Sequence, residues 1–164
     1  MSALRKLERP AALGLRAAAL LLVIAPLLTR AAVGFGFYET GKGKLANAEG
    51  TAAFFASLKL PFPAQNAAFV SRLEYYGGLL LMAGLLTRVV GALLTSTMLV
   101  ALATAHRDEV VALLTRAADA PAVMDIAPLP FLIGLLWLVA CGPGVASVDR
   151  LLFHRLGTRK DEPT

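Results

Sequence analysis

Long stretches without a charged residue constrain this sequence more than any other feature. The chain is 57% hydrophobic and 16% charged, with a mean hydropathy of +0.68, whereas an ordinary soluble domain carries about 25% charged residues. A water-soluble fold of 164 residues would need many more charged side chains to cover its surface. The sequence therefore predicts a single integral membrane domain over residues 1–164. The uncharged stretches are Ala17–Thr29, Ala31–Tyr38, Tyr75–Thr87, Val89–Ala105 and Ile126–Val148.

Four membrane-spanning helices account for these stretches, because a span needs about 20 mostly apolar residues. The first two stretches must be joined through Arg30. A central arginine costs about 2.5 to 3.5 kcal/mol, and each of the ten Leu, Ile, Val and Phe residues between Leu20 and Phe37 contributes about 0.3 to 0.6 kcal/mol in the opposite direction. We therefore predict an all-α bundle of four transmembrane helices, running up, down, up and down. The predicted spans cover residues 14–40, 65–86, 88–105 and 126–142.

Helix-breaking residues separate the predicted spans. Pro26 is expected to kink the first span, and the glycines that follow Tyr38 are expected to end it. A tight turn centred on Thr87 and Arg88 should join the second span to the third. The fourth span should stop at the run Gly142-Pro143-Gly144, which is a strong helix breaker.

Three shorter segments have an amphipathic pattern. Residues 49–58 and 109–118 each place apolar side chains on one helical face, and both are predicted to be interfacial helices in the external loops. Plain loops are the alternative for both segments. Ser147 can cap a short third helix that carries Leu151, Leu152 and Phe153.

The distribution of lysine and arginine predicts the orientation of the bundle. With four spans both termini lie on one side, and most of the cations fall there, whereas the second loop on the opposite side is net acidic. Both termini, including the tail 145–164, are therefore predicted to be cytoplasmic. A cleaved signal peptide is disfavoured, because Arg16 interrupts its apolar segment and the hydrophobicity continues beyond the small residues at a cleavage site.

Several classes of function are excluded or disfavoured by the residues present. One cysteine cannot form an internal dithiol or a thiolate cluster, and His106 and His154 fall at opposite membrane faces, so no haem, metal or other covalently bound cofactor is expected. Residues 36–43 resemble a phosphate-binding loop, but Gly43 stands where a serine or threonine is required. The sixteen cations are scattered and form no nucleic-acid footprint.

Two ionisable residues inside the predicted spans are the candidate functional site. Arg30 and Glu74 fall at matching depths on the first and second spans, and an ionisable residue within a span normally faces the bundle interior. Lys44 and Arg72 are expected as neighbouring cations nearer the outer surface. The pair is open to three interpretations: a structural ion pair, a binding or proton-relay site, and two charges that extend separately to the interface.

A succession of short motifs resembles the DoxX family of small four-helix bacterial membrane proteins. The likeness covers residues 25–152. The motifs are Leu28-Thr29-Arg30 with Gly34 and Phe37, Gly41-Lys42-Gly43-Lys44-Leu45, Pro61-Phe62-Pro63, Glu74, Gly84-Leu85-Leu86-Thr87-Arg88, and Gly142-Pro143-Gly144-Val145-Ala146-Ser147-Val148-Asp149. The family pattern falls on Arg30, Gly34, Gly41, Lys44, Glu74, Arg88, Gly142, Gly144, Ser147 and Asp149.

The resemblance implies a four-span bundle in the bacterial cytoplasmic membrane, associated with quinone-linked redox assemblies. The leading expectation is an accessory subunit without catalytic activity of its own, which docks redox partners and holds a quinone-sized ligand between its helices. A binding or small-solute transport bundle without a redox role is the alternative, and a purely structural assembly protein is the third. Before its last span the chain has Met124, Asp125, Pro128 and Pro130, where relatives often carry aromatic and histidine residues.

Overall fold

The computed structural model describes residues 2–144 and 147–151. Within these residues every regular element is helical and no strand is present, which confirms the all-α prediction. In this described part of the chain, six helices have nine residues or more. They are α1 (Ser2–Ala46), α2 (Ala48–Ser57), α3 (Pro63–Ala83), α4 (Thr87–Ala103), α5 (Arg107–Thr115) and α6 (Pro128–Cys141).

Helix α1 is longer than the sequence predicted. It continues without a break through Pro26, Gly41 and Gly43, so the expectation that these glycines end the helix is wrong. Gly41 is needed for packing, because a Cβ at this position would overlap the backbone of Tyr75 on α3. A small residue lets two helix backbones approach closely. The glycine therefore serves the contact between helices, and the helix end lies further along, at Ala46.

The turn between α3 and α4 precedes the position predicted for it. Gly84 ends α3 with φ +70°, and Leu86 also has a left-handed backbone with φ 51°. Thr87 and Arg88, expected at the centre of the turn, open α4. The Asp149 carboxylate accepts hydrogen bonds from the backbone N–H groups of Leu86 (2.7 Å) and Thr87 (3.0 Å), so a distant residue caps α4.

The long helices pack as two antiparallel pairs, α1 with α3 and α4 with α6. In the first pair a Cβ on Gly34 would come 2.8 Å from the carbonyl oxygen of Gly78, and in the second a Cβ on Gly91 would come 2.9 Å from Val139. The pairs share one apolar core. Its fully or nearly fully buried members are Val33, Phe37, Leu81, Val90, Leu94, Met98, Leu135 and Leu138.

Both internal amphipathic segments are helices, as predicted. α2 packs against α3 and is capped by Asn47, whose side chain accepts a hydrogen bond from Gly50 N at 3.1 Å. α5 carries Asp108 and Glu109 in its first turn, where carboxylates favour a helix N-terminus. Neither helix contains a buried residue.

The C-terminal segment is described from Ser147 to Leu151. Ser147 Oγ accepts a hydrogen bond from Arg150 N at 3.3 Å, and residues 148–151 form one helical turn, so the predicted serine cap is present. Leu152 and Phe153, together with the rest of the predicted tail to residue 164, lie outside the described residues.

The length and hydropathy of the helices bear on membrane crossing. Over residues 2–144 and 147–151, no helix taken alone is long and apolar enough to cross a bilayer. Helices α4 and α5, which meet at a 76° bend, reach that length and hydropathy together, and α6 is apolar but has 14 residues.

Candidate functional site

A cavity of about 570 Å³ lies between the α1–α3 pair and the α4–α6 pair at one end of the bundle. We call this the cavity end; it includes the last turns of α1 and α4, the first turns of α3 and α6, and helix α2. The cavity walls are predominantly apolar. Aromatic and aliphatic side chains that line it include Phe37, Phe54, Phe55, Leu58, Leu60, Phe69, Val70, Met98, Val100 and Phe131.

An ion pair lies in the wall of this cavity. Lys44 Nζ on α1 donates to both carboxylate oxygens of Glu74 on α3, each at 2.5 Å. The Glu74 side chain is 1% exposed, whereas Lys44 is 32% exposed and reaches the cavity. A buried carboxylate without a partner is strongly unfavourable. Lys44 therefore makes it possible for Glu74 to be ionised inside the bundle.

The other polar groups around the cavity already have partners. The hydroxyl groups of Ser96, Thr97 and Thr104 on α4 donate to the carbonyl oxygens of Leu93, Leu94 and Val100, at 2.6 to 2.8 Å. His106, at the bend between α4 and α5, contacts Glu109 Oε2 through Nδ1 at 2.9 Å. Among the described lining residues, Lys44 and Glu74 are therefore the two that place formal charge at the cavity wall.

Arg30 lies elsewhere, and the predicted pair of Arg30 with Glu74 is corrected. Arg30 is 3% exposed, and its Nη1 donates to the carbonyl oxygen of Pro143 at 2.8 Å. It also lies next to Gly84, where a Cβ would clash with its guanidinium. Glu74 pairs with Lys44, which is fourteen residues beyond Arg30 on α1, or about 21 Å of helical rise.

The antiparallel register of α1 and α3 explains this error. Gly41 on α1 lies beside Tyr75 on α3. Gly34, seven residues earlier on α1, lies beside Met82, seven residues later on α3. The same register places Arg30 level with the turn after α3 and Lys44 level with the turn of α3 that contains Glu74. The predicted spans end α1 at residue 40 and begin α3 at residue 65, whereas α1 ends at Ala46 and α3 begins at Pro63. Matching the depths of Arg30 and Glu74 from the predicted ends therefore gives the wrong register between the two helices.

Arg30 belongs to the end of the bundle opposite the cavity. We call this the closed end and define it by Arg30, residues 84–88, residues 142–144 and residues 147–149. Asp149 caps α4, and its own N–H donates to Gly84 O at 3.0 Å. Arg88 Nη2 donates to the carbonyl oxygen of Ala140 on α6 at 3.4 Å. These bonds join the α3–α4 turn to α6 and to the segment that follows it.

Several of the remaining candidate residues have packing roles. Gly34 and Gly41 allow the close approach of α1 and α3, and Gly142 has φ +80° and lies against the Arg88 guanidinium. Gly144, with φ +79°, lies against the ring of Pro26 on α1. These positions, like the capping residue Ser147, shape the fold and do not contact the cavity.

Arg72 also differs from its expected place. It is exposed and donates to the carbonyl oxygen of Ala68 in its own helix at 3.2 Å, so it does not border the Lys44–Glu74 pair. Lys44 was expected as a secondary cation and is instead the direct partner. Its role could have been found from the spacing of Gly34, Gly41 and Lys44, which place one face of α1 against α3.

The fold and the cavity together define an all-helical protein with a ligand-sized apolar cavity beside a buried ion pair. The model of the DoxX family matches residues 25–107, half of the chain. The chain therefore belongs to the DoxX family, as its motifs predicted, and this family is membrane-associated. The matched region contains α3, α4, and the parts of α1 that carry Arg30 and Lys44.

A curated relative adds a second finding. The chain is 38% identical over 81 residues to a protein from Bacillus subtilis (strain 168) named "Putative oxidoreductase CatD". The alignment covers 49% of this chain and 59% of that protein, so the chain spans about three fifths of the relative's length. No solved structure matches the chain.

Proposed function

We propose that this protein is an integral membrane subunit of a quinone-linked redox assembly, and that it holds a quinone-sized ligand in the cavity between its helix pairs. The observation that carries the proposal is the 570 Å³ cavity with the Lys44–Glu74 pair in its wall. Ligand sites are typically apolar clefts of about 300 to 1,000 Å³ with a few polar groups that orient the ligand. The DoxX family and the oxidoreductase name of the relative support the redox part.

The flanks of the bundle support insertion into a membrane. Large apolar side chains are exposed on every long helix, and a soluble monomer rarely exposes contiguous apolar surface of this extent. Exposed examples are Leu28 and Phe35 on α1, Phe69 and Tyr76 on α3, Val89 and Leu99 on α4, and Ile133 and Trp137 on α6. We propose four spans in the bacterial cytoplasmic membrane, with the closed end and both termini on the cytoplasmic side.

The chain orients a ligand and leaves electron transfer to its partners. Lys44 can donate a hydrogen bond to a quinone carbonyl oxygen, while the aromatic side chains around the cavity contact the ring and its tail. With a single cysteine, the chain has no dithiol of its own. We therefore assign the oxidation and reduction of the ligand to redox proteins that dock on this subunit.

Purification at native expression tests the proposal. The protein is isolated in a mild detergent, its extract is analysed for quinones, and companion proteins are identified by mass spectrometry. We expect a quinone in the extract and an oxidoreductase subunit among the companions. An empty, solitary protein that carries solutes into liposomes would favour the transport alternative, and an empty protein without such activity would favour a structural role.

A matched pair of variants on α4 locates the ligand. Ala101 lines the cavity, whereas Ala103 is exposed two residues later and does not. Ala101→Phe should place a ring where the ligand binds and remove the quinone from the extract, and Ala103→Phe should leave it in place. Equal quinone content in both variants would show that the quinone is bound elsewhere.

A further inference from the structure

We propose that Glu74 makes the cavity selective for lipid-soluble ligands with a neutral, oxygen-bearing head group and excludes carboxylate head groups such as those of fatty acids. The proposal rests on the function proposed above, because it concerns the ligand of the same cavity. It adds that the cavity selects neutral over carboxylate head groups, and it assigns this selectivity to Glu74.

The first argument is the charge at the cavity wall. Lys44 taken alone would attract an anion into an apolar cavity. Both oxygens of Glu74 lie 2.5 Å from Lys44 Nζ, so the positive charge is already neutralised. A ligand carboxylate that reached Lys44 would also meet the Glu74 carboxylate, and like charges brought together in a desolvated site are strongly unfavourable.

The second argument is the number of donors that remain. An ammonium group has three N–H donors, and two of those on Lys44 are taken by Glu74. One is left to donate to a ligand oxygen. The hydroxyl protons of Ser96, Thr97 and Thr104 are already given to backbone carbonyl oxygens. This arrangement suits a single carbonyl or hydroxyl oxygen better than a carboxylate, which needs several donors.

The third argument is the route into the cavity. Its lining includes Phe69 on α3 and Val100 on α4, which are 59% and 48% exposed. The cavity therefore reaches the apolar flank of the bundle between these helices. In the proposed membrane orientation this flank faces lipid tails, so the molecules that enter are lipid-soluble ones. Fatty acids dissolve in the same lipid bilayer as the neutral ligands. The cavity can therefore distinguish the two only by their head groups.

Matched photoreactive probes test this selectivity directly. Dodecanol and dodecanoate carrying the same diazirine are added to the full chain in lipid nanodiscs, at a pH well above the ordinary pKa of a carboxylic acid. Labelled residues are then identified by mass spectrometry. We expect the alcohol to label cavity residues about tenfold more than the acid.

The variant Glu74→Gln should abolish the preference. It keeps an oxygen that can accept from Lys44 and removes the negative charge, so labelling by the acid should rise about tenfold. Glu39→Gln is the matched control, because Glu39 is an exposed carboxylate on α1 outside the cavity. Lys44→Met should lower labelling by the alcohol without any gain for the acid.

The outcomes separate this inference from the function on which it rests. If neither probe labels cavity residues of the wild-type protein, the ligand site itself is wrong. If the wild-type protein takes both probes equally, or if Glu74→Gln leaves the ratio unchanged, the selectivity rule is wrong while the site stands. The ratio of the two labels in the wild-type protein decides the matter even if Glu74→Gln does not fold.

Discussion

At the closed end of the bundle, Arg30 and Asp149 bind backbone groups of distant segments, whereas at the cavity end Lys44 and Glu74 bind each other. At the closed end each charged side chain stabilises the fold by joining two distant segments. At the cavity end the two opposite charges neutralise each other in the wall of the cavity. The comparison teaches that burial alone does not assign an ionisable residue to the candidate site, because Arg30 is nearly as buried as Glu74 but does not line the cavity.

The largest expected effect is at the cavity end. Lys44→Ala leaves the Glu74 carboxylate buried without its cation, and removal of one member of a buried pair costs about 3 to 5 kcal/mol. We expect a loss of this size in the free energy of unfolding, measured by thermal or denaturant unfolding in detergent. Lys42→Ala is the control, because Lys42 is exposed and contacts Glu39 at 3.7 Å; its effect should be below about 1 kcal/mol.

At the closed end, truncation of Arg30 should have a smaller effect. Arg30→Ala removes the hydrogen bond to Pro143 O, and a hydrogen bond from a charged group is worth about 1.5 to 3 kcal/mol. The same unfolding assay measures the loss, with Arg72→Ala as the exposed control. The exchanged double variant, Arg30→Glu with Glu74→Arg, should not recover stability, and recovery would mean that these two residues are partners after all.

The cap on α4 should contribute less to stability than either Lys44 or Arg30. Asp149→Ala removes an acceptor from the N–H groups of Leu86 and Thr87, and loss of a helix cap costs about 0.5 to 2 kcal/mol. Limited proteolysis near residue 150 should become faster, because the C-terminal segment loses two of its hydrogen bonds to the α3–α4 turn and keeps only the backbone bond to Gly84 O. Asp119→Ala, in an exposed loop, is the control, and equal proteolysis of both variants would contradict this role.

The smallest effect is expected where the bundle is open. Ala101→Phe places a ring in the cavity, which has room for it, so stability should change by less than about 1 kcal/mol, below the usual cost of overpacking. Gly78→Ala provides the contrast, because a Cβ there would lie 2.5 Å from Gly34 O. Overpacking of that helix contact should cost about 1 to 3 kcal/mol. A large loss for Ala101→Phe would show that the cavity is closed in solution.

The four long helices could be predicted from the sequence because each includes a long uncharged stretch. The predicted ranges 65–86, 88–105 and 126–142 overlap α3, α4 and α6, and the errors are confined to the ends. Helix ends depend on contacts that a local pattern does not contain. The start of α4 is an example, since its cap comes from Asp149, more than sixty residues away.

The site was predicted in part. Glu74 was identified as an intramembrane charge, but its partner was assigned to Arg30 because the depth of Arg30 was inferred from an α1 that ended at residue 40. The true register depends on Gly34 and Gly41 against α3. The family resemblance implied a ligand between the helices, but the lining of the cavity could not be predicted, because its residues come from five helices whose packing no local pattern contains.

The cap that Asp149 provides for α4 has a consequence for the order in which contacts form during synthesis. Synthesis proceeds at about 5 to 20 residues per second, and N-terminal parts fold first. The 62 residues between Thr87 and Asp149 therefore keep the N-terminal turn of α4 uncapped for about 3 to 12 seconds. Lys44 and Glu74 are 30 residues apart, so they can meet well before this. The ion pair in the cavity wall can thus form before the residue that caps α4 at the other end has been synthesised.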